Sequence, residues 1–177
     1  AINELKYNRF AISKVLVIAP KKVAEATWQA EAKQWDHLGL LRFSTCLGGQ
    51  AKRILALNTP ADVYVINRDN VVWLVDYYKN SWPFDMVVLD ESSSFKNPKA
   101  KRFKALKNIR PHIKRIVELT GTPAPNGLMD LWAQVFLLDQ GQRLGNRISG
   151  FRERYFEPDQ RSRDRIYSYK QKDGTDN

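Results

Sequence analysis

Apolar residues follow two rhythms in this chain. Short apolar runs occupy residues 14–20, 41–47, 63–67, 86–89 and 113–119. Runs of that length, rich in Val, Ile and Leu and bounded by Pro, Gly or charged residues, predict strands buried on both faces. Between them, apolar positions recur at helical spacing. Ala24, Trp28, Ala32 and Trp35 mark one helix, and both tryptophans are expected to pack in the core. Residues 50–57 and 71–78 predict two more. Phe103, Leu106 and Ile109 stripe a fourth, and residues 128–138 form a fifth with Asn126 as its N-cap. Residues 1–10 read as the last turns of a helix. Alternation of strand and helix from residue 14 to residue 138 predicts an α/β fold, a mostly parallel sheet with helices on both faces.

In a parallel sheet all strands end on one edge, where such folds keep their ligands. The residues expected there are Lys21-Lys22, Asn67-Arg68, Asp90-Glu91 and Thr120-Gly121-Thr122. Adjacent acids at a strand tip suit two tasks, holding a hydrated Mg²⁺ and polarising a water. The plain alternative is a solvated strand end. Hydroxyls beside the acids suit sensing of a phosphate, and cations on the same rim suit a nucleic-acid backbone.

Charge strengthens the second of these ideas. The 177 residues carry 29 Lys+Arg against 19 Asp+Glu, a net charge of +10. A polyanionic partner is favoured, nucleic acid ahead of a membrane surface. Eight cations from Lys99 to Arg115 precede the first following acid, Glu118. They predict either a cationic outer helix face that meets such a partner or one that is merely solvated. A single cysteine, Cys46, allows no internal disulfide and no multi-cysteine metal site. It suits a reducing compartment, cytoplasmic or nuclear. No apolar run is long enough to span a membrane. The first residues, without Met and polar, predict a trimmed piece of a longer protein.

From residue 141 the character changes. Glycines interrupt a basic segment, and residues 161–177 are almost wholly polar, which predicts poor order. The expected division is 1–140 for the α/β unit and 141–177 for a second segment.

Leu89-Asp90-Glu91-Ser92 with Lys96-Asn97 resembles the second helicase motif of superfamily-two ATPases, in the form found in the Swi/Snf branch. Residues 119–126 (LTGTPAPN) followed by Leu131-Trp132 resemble the third motif of that branch, and residues 15–20 with Trp28 and Trp35 resemble its motif Ia region. The resemblance implies a RecA-like lobe of a DNA-dependent ATPase, using ATP and Mg²⁺. It implies that Asp90 holds Mg²⁺ through water, Glu91 orients the attacking water, and Thr120, Gly121 and Thr122 couple nucleotide state to DNA. Lys21, Lys22, Asn67, Lys96 and Asn97 would line the DNA backbone path, although Lys96 and Asn97 are equally suited to bracing the turn after the acids. The segment after Gly141 would open a helical protrusion.

Two parts of the family pattern are absent from these residues. No Gly-x-x-x-x-Gly-Lys-Ser/Thr phosphate loop occurs, and Gly48-Gly49-Gln50-Ala51-Lys52 lacks its spacing and hydroxyl. The second RecA-like lobe is also absent. The expectation is a lobe lacking its first strand and phosphate loop, inactive by itself. Two other readings remain: a nucleic-acid-binding module without hydrolysis, and an unrelated Mg²⁺-dependent phosphohydrolase.

Overall fold

The computed structural model describes residues 1–160 and 168–173. The five apolar runs form five strands: β1 (Val15–Ala19), β2 (Phe43–Cys46), β3 (Val63–Asn67), β4 (Met86–Asp90) and β5 (Arg115–Leu119). They lie in the order β2-β3-β1-β4-β5, and each neighbouring pair is parallel. The register pairs Ala19 with Asn67 and Asp90 with Leu119. The strand tips therefore share one edge, and the acid pair stands beside Thr120.

Helices fill the crossovers. A wide helical turn at Val23–Thr27 runs into α1 (Trp28–Lys33). Then come α2 (Gln50–Asn58), α3 (Val71–Tyr78), α4 (Lys101–Ile109) and α5 (Leu131–Asp139). Side-chain alternation along each strand sorts the core into two layers. Leu16, Ile18, Tyr64, Ile66, Val87 and Leu89 face α3, α4 and α5, against Leu74, Phe103, Leu106, Trp132 and Leu137. Val15, Val17, Val63, Val65, Met86 and Val88 face the other way, toward Ala24, Leu41 and the half-buried Trp28, Ile2 and Leu5. Each large apolar side chain buried this way contributes about 1.5–3 kcal/mol.

The two layers are closed to different degrees. Phe103, Leu106, Leu74 and Leu137 on the first are almost fully buried. The second keeps a cavity of about 560 Å³ between α1 and the sheet, lined by Trp28, Trp35, Leu38, Val88, Val117 and Leu119. Trp35, expected in the core, is 55% exposed. The α-helix ends at Lys33, two residues before Trp35, so the helical spacing that would have turned it inward has lapsed.

Two further expectations change. Asn126 does not cap α5: a 3₁₀ turn at Leu128–Asp130 intervenes, and Asp130 occupies the N-cap position. Arg110 leaves the cationic helix face and is buried, donating to the carbonyls of Leu137, Leu138 and Ile113. There it satisfies the carbonyls at the C-terminus of α5, which have no helical partner. Beyond α5, α6 (Ile148–Tyr155) leads into β6 (Phe156–Pro158), which pairs antiparallel with β7 (Tyr169–Gln171). Phe151 and Phe156 join the closed layer of the core. Ladder bonds to β6 and the Arg152 guanidinium over the Tyr169 ring hold Tyr169–Gln171. Residues 161–167 and 174–177 lie outside the described residues. Among the described residues no helix is long and apolar enough to cross a membrane.

Candidate functional site

Strand β4 stops at Asp90 because the chain turns left-handed at Glu91, with φ 61° and ψ 58°. That conformation is unfavourable for a residue with a Cβ, by roughly 1–2 kcal/mol, and persists only where surrounding contacts enforce it. Here they do. Ser92 and Phe95 in the next turn are fully buried, which pins the backbone just after the strand tip. The Glu91 carboxylate accepts the Thr120 hydroxyl at 3.1 Å and the Ser93 hydroxyl at 3.3 Å. Thr120 Oγ1 in turn accepts the Thr122 N–H at 3.2 Å. The acid pair and the Thr-Gly-Thr turn, 29 residues apart in the chain, are thus joined by a direct hydrogen bond. Gly121 is exposed, and a Cβ there would meet nothing within 4 Å.

Asp90 is held differently. Its Oδ2 accepts the Trp28 indole N–H at 2.9 Å, and Oδ1 carries no hydrogen bond among the described residues. The sequence placed Trp28 in the core. Only its ring packs there, while its nitrogen reaches the acid.

The cations and amides expected at the rim take distinct positions. Lys21 and Lys22 are exposed just past β1, with Lys21 4.0 Å from Glu25. Asn67 is buried and bonded to Asn70 and Asp69, so it shapes the turn after β3. Lys96 pairs with Asp130 at 2.9 Å, and Asn97 Oδ1 accepts the Lys99 N–H at 2.9 Å. Both brace the turns that follow the acid pair. Lys99, Lys101, Lys104 and Lys107 are exposed along α4 and the loop before it.

Beneath the acid pair lies a polar cluster that the sequence did not indicate. Ser92 Oγ donates to Gln134 Oε1 at 3.0 Å, and Gln134 Nε2 donates to the carbonyls of Pro123 at 2.6 Å and Asp130 at 3.1 Å. Glu118 on β5 also contacts Ser92. Glu118 Oε1 is buried without a hydrogen-bond partner among the described residues. Burial pushes the Glu118 carboxyl up to about 8, against the opposing influence of Ser92 and the Arg110 charge. A Gln and a Glu inside otherwise apolar periodic runs were the available signals.

Comparison with known proteins bears on the family and the fold. Residues 1–168 match the family model described as the SNF2-related domain. A protein called p41 from Acyrthosiphon pisum secondary endosymbiont phage 1 is 46% identical over 147 residues, 80% of this chain and 32% of its own length. The TATA-binding protein-associated factor mot1 of Schizosaccharomyces pombe is 33% identical over 171 residues, 93% of this chain and 8% of its own. The chain thus spans about a third or less of these relatives. Among solved structures, the Sulfolobus solfataricus SWI2/SNF2 ATPase core in complex with dsDNA superposes with a TM-score of 0.69 at 26% identity. That alignment covers 87% of this chain and 30% of the other. With the motif residues gathered on one sheet edge and residues 1–168 of its 177 matched to the family model, the chain belongs to the SNF2-related domain family.

Proposed function

We propose that these residues supply the metal-and-water half of an ATPase that couples ATP hydrolysis to movement on DNA. The observation that carries this reading is the Thr120–Glu91 hydrogen bond at the tips of β4 and β5. Glu91 is fixed by neutral hydroxyls, which leave its negative charge uncompensated and able to orient and polarise a water. Thr120 joins that carboxylate to the loop at residues 120–126, so a shift of either is felt by the other.

Asp90 suits Mg²⁺. One carboxylate oxygen is oriented by Trp28 and the other is open, and among the described residues no group of three or more His, Cys, Asp or Glu forms a cage. Mg²⁺ keeps several waters and is commonly held by one or two carboxylates together with phosphate oxygens, which fits a single open acid. Bound with ATP, it would neutralise charge on the phosphates. The resulting reading leaves the phosphate cradle and the second lobe to other parts of the protein, and the 177 residues alone should turn over ATP negligibly. Exposed Lys21 and Lys22 on the same rim, with the α4 lysines and the net charge of +10, support contact with a DNA backbone. The solved relative in complex with dsDNA supports the same partner.

ATP turnover by a polypeptide joining this chain to a phosphate loop and second lobe, measured with and without duplex DNA, tests the reading. Turnover raised by duplex DNA is expected. No turnover, or turnover indifferent to DNA, overturns it.

A further inference from the structure

Gln134 is buried at 4% exposure among Trp132, Ala133, Phe136 and Leu137 on α5, where an amide is costly unless its bonds are made. Its Oε1 takes the Ser92 hydroxyl, and its nitrogen donates to the Pro123 and Asp130 carbonyls. Ser92 directly follows Glu91, and Pro123 directly follows Thr122. One amide therefore touches both segments whose side chains meet in the Glu91–Thr120 bond. Asp130 extends the contact, since its carboxylate takes the Asn126 N–H at 3.0 Å and Lys96 at 2.9 Å. Pro123 has no N–H, so its carbonyl is its only backbone hydrogen-bonding group.

We propose that Gln134 is a positioning residue: a clasp from α5 that fixes the loop at residues 120–126 to the turn after the acid pair, and so sets the approach of Thr120 to Glu91. This rests on the ATPase reading only for its consequence in catalysis. The clasp itself is a statement about the loop. It also accounts for how the left-handed Glu91 is kept in place, since Ser92 is locked on the helix side while the Glu91 carboxylate is held from the loop side.

The test uses two variants. Gln134→Met keeps the length and removes the amide. Ser92→Ala combined with Gln134→Met also removes the hydroxyl left without a partner, a paired replacement that restores burial of apolar groups. Amide hydrogen exchange in the purified chain is read at Thr122, Asn126 and Gly127, whose N–H groups bond to Thr120, Asp130 and Ala124. Both variants should exchange about tenfold faster at these amides, the loss of one hydrogen bond's worth of protection, while sheet amides stay protected. The double variant should recover most of the melting temperature lost by the single one. Wild-type exchange in either variant overturns the clasp. In the ATP-hydrolysing polypeptide, Gln134→Met should lower kcat about tenfold with KM for ATP unchanged, and the double variant should not recover kcat. Recovery of kcat together with stability would show that Gln134 merely satisfies Ser92, and would overturn the positioning role. Fast loop exchange in a polypeptide whose wild type turns over no ATP would remove the ATPase reading and leave the clasp standing.

Discussion

The two edges of the sheet use their acids in opposite ways. At the amino edge Asp62 and Asp85 stand immediately before β3 and β4. Asp62 is buried and accepts Lys6 at 3.2 Å, Arg42 at 3.2 Å and the Arg42 N–H at 2.8 Å. Burial works to raise its pKa, but those donors outweigh it and bring the carboxyl to about 2. Asp85 accepts the Ser13 N–H at 2.7 Å and Lys114 at 2.8 Å. Burial opposes its ionisation too, yet Lys114 and the backbone N–H groups hold it below the ordinary range. At the carboxyl edge Asp90 and Glu91 receive, among the described residues, only an indole and two hydroxyls. A chain with 29 basic residues places none of them in an ion pair with these two among the described residues. Acids saturated by cations hold strands together. Acids held by neutral donors are oriented but keep their charge for something that arrives from outside.

Breaking the amino edge should have the largest effect on stability. Asp62→Asn leaves two cations and an N–H facing a poor acceptor, and should lower unfolding free energy by about 3 kcal/mol in urea titration. Because the native carboxyl titrates below its unfolded value, the stability Asp62 contributes is present above about pH 4 and is lost as pH falls through about 2. Glu118 acts with the opposite sign. Its native pKa is raised to about 8 from 4.5, so the folded chain holds a proton that the unfolded chain has released. Stability should therefore decline as pH rises from about 4.5 to about 8, and Glu118→Gln should flatten that decline, read by chemical denaturation across the window. The smallest effect belongs to the acid pair. Glu91→Gln should leave stability within about 0.5 kcal/mol of wild type, since no buried cation loses its partner. A loss as large as that of Asp62→Asn would erase the contrast between the edges.

The strand tips were legible because parallel packing forces buried strands to be continuously apolar, so the first polar residue after each run marks the edge. Helix positions followed from spacing for the same reason. The failures share a cause: a residue type admits several partners, and only the fold chooses. Trp28 packs its ring as expected but turns its nitrogen to Asp90. Arg110 was counted among solvent-facing cations, yet the end of α4 brings it under the last turn of α5. For Lys96 the sequence left two roles open, the DNA path and bracing the turn, and the fold pairs it with an aspartate 34 residues away. Gln134 and Glu118 broke apolar runs, and a break in period shows that something polar is buried without showing what it meets.

The central claim is that Glu91, not the fold around it, carries the chemistry. Glu91→Gln in the polypeptide joining this chain to a phosphate loop and second lobe tests that directly, with ATP turnover and duplex DNA affinity measured on the same preparation. The account predicts a fall in DNA-stimulated kcat of at least about 100-fold with DNA affinity unchanged. Turnover within twofold of wild type would contradict it.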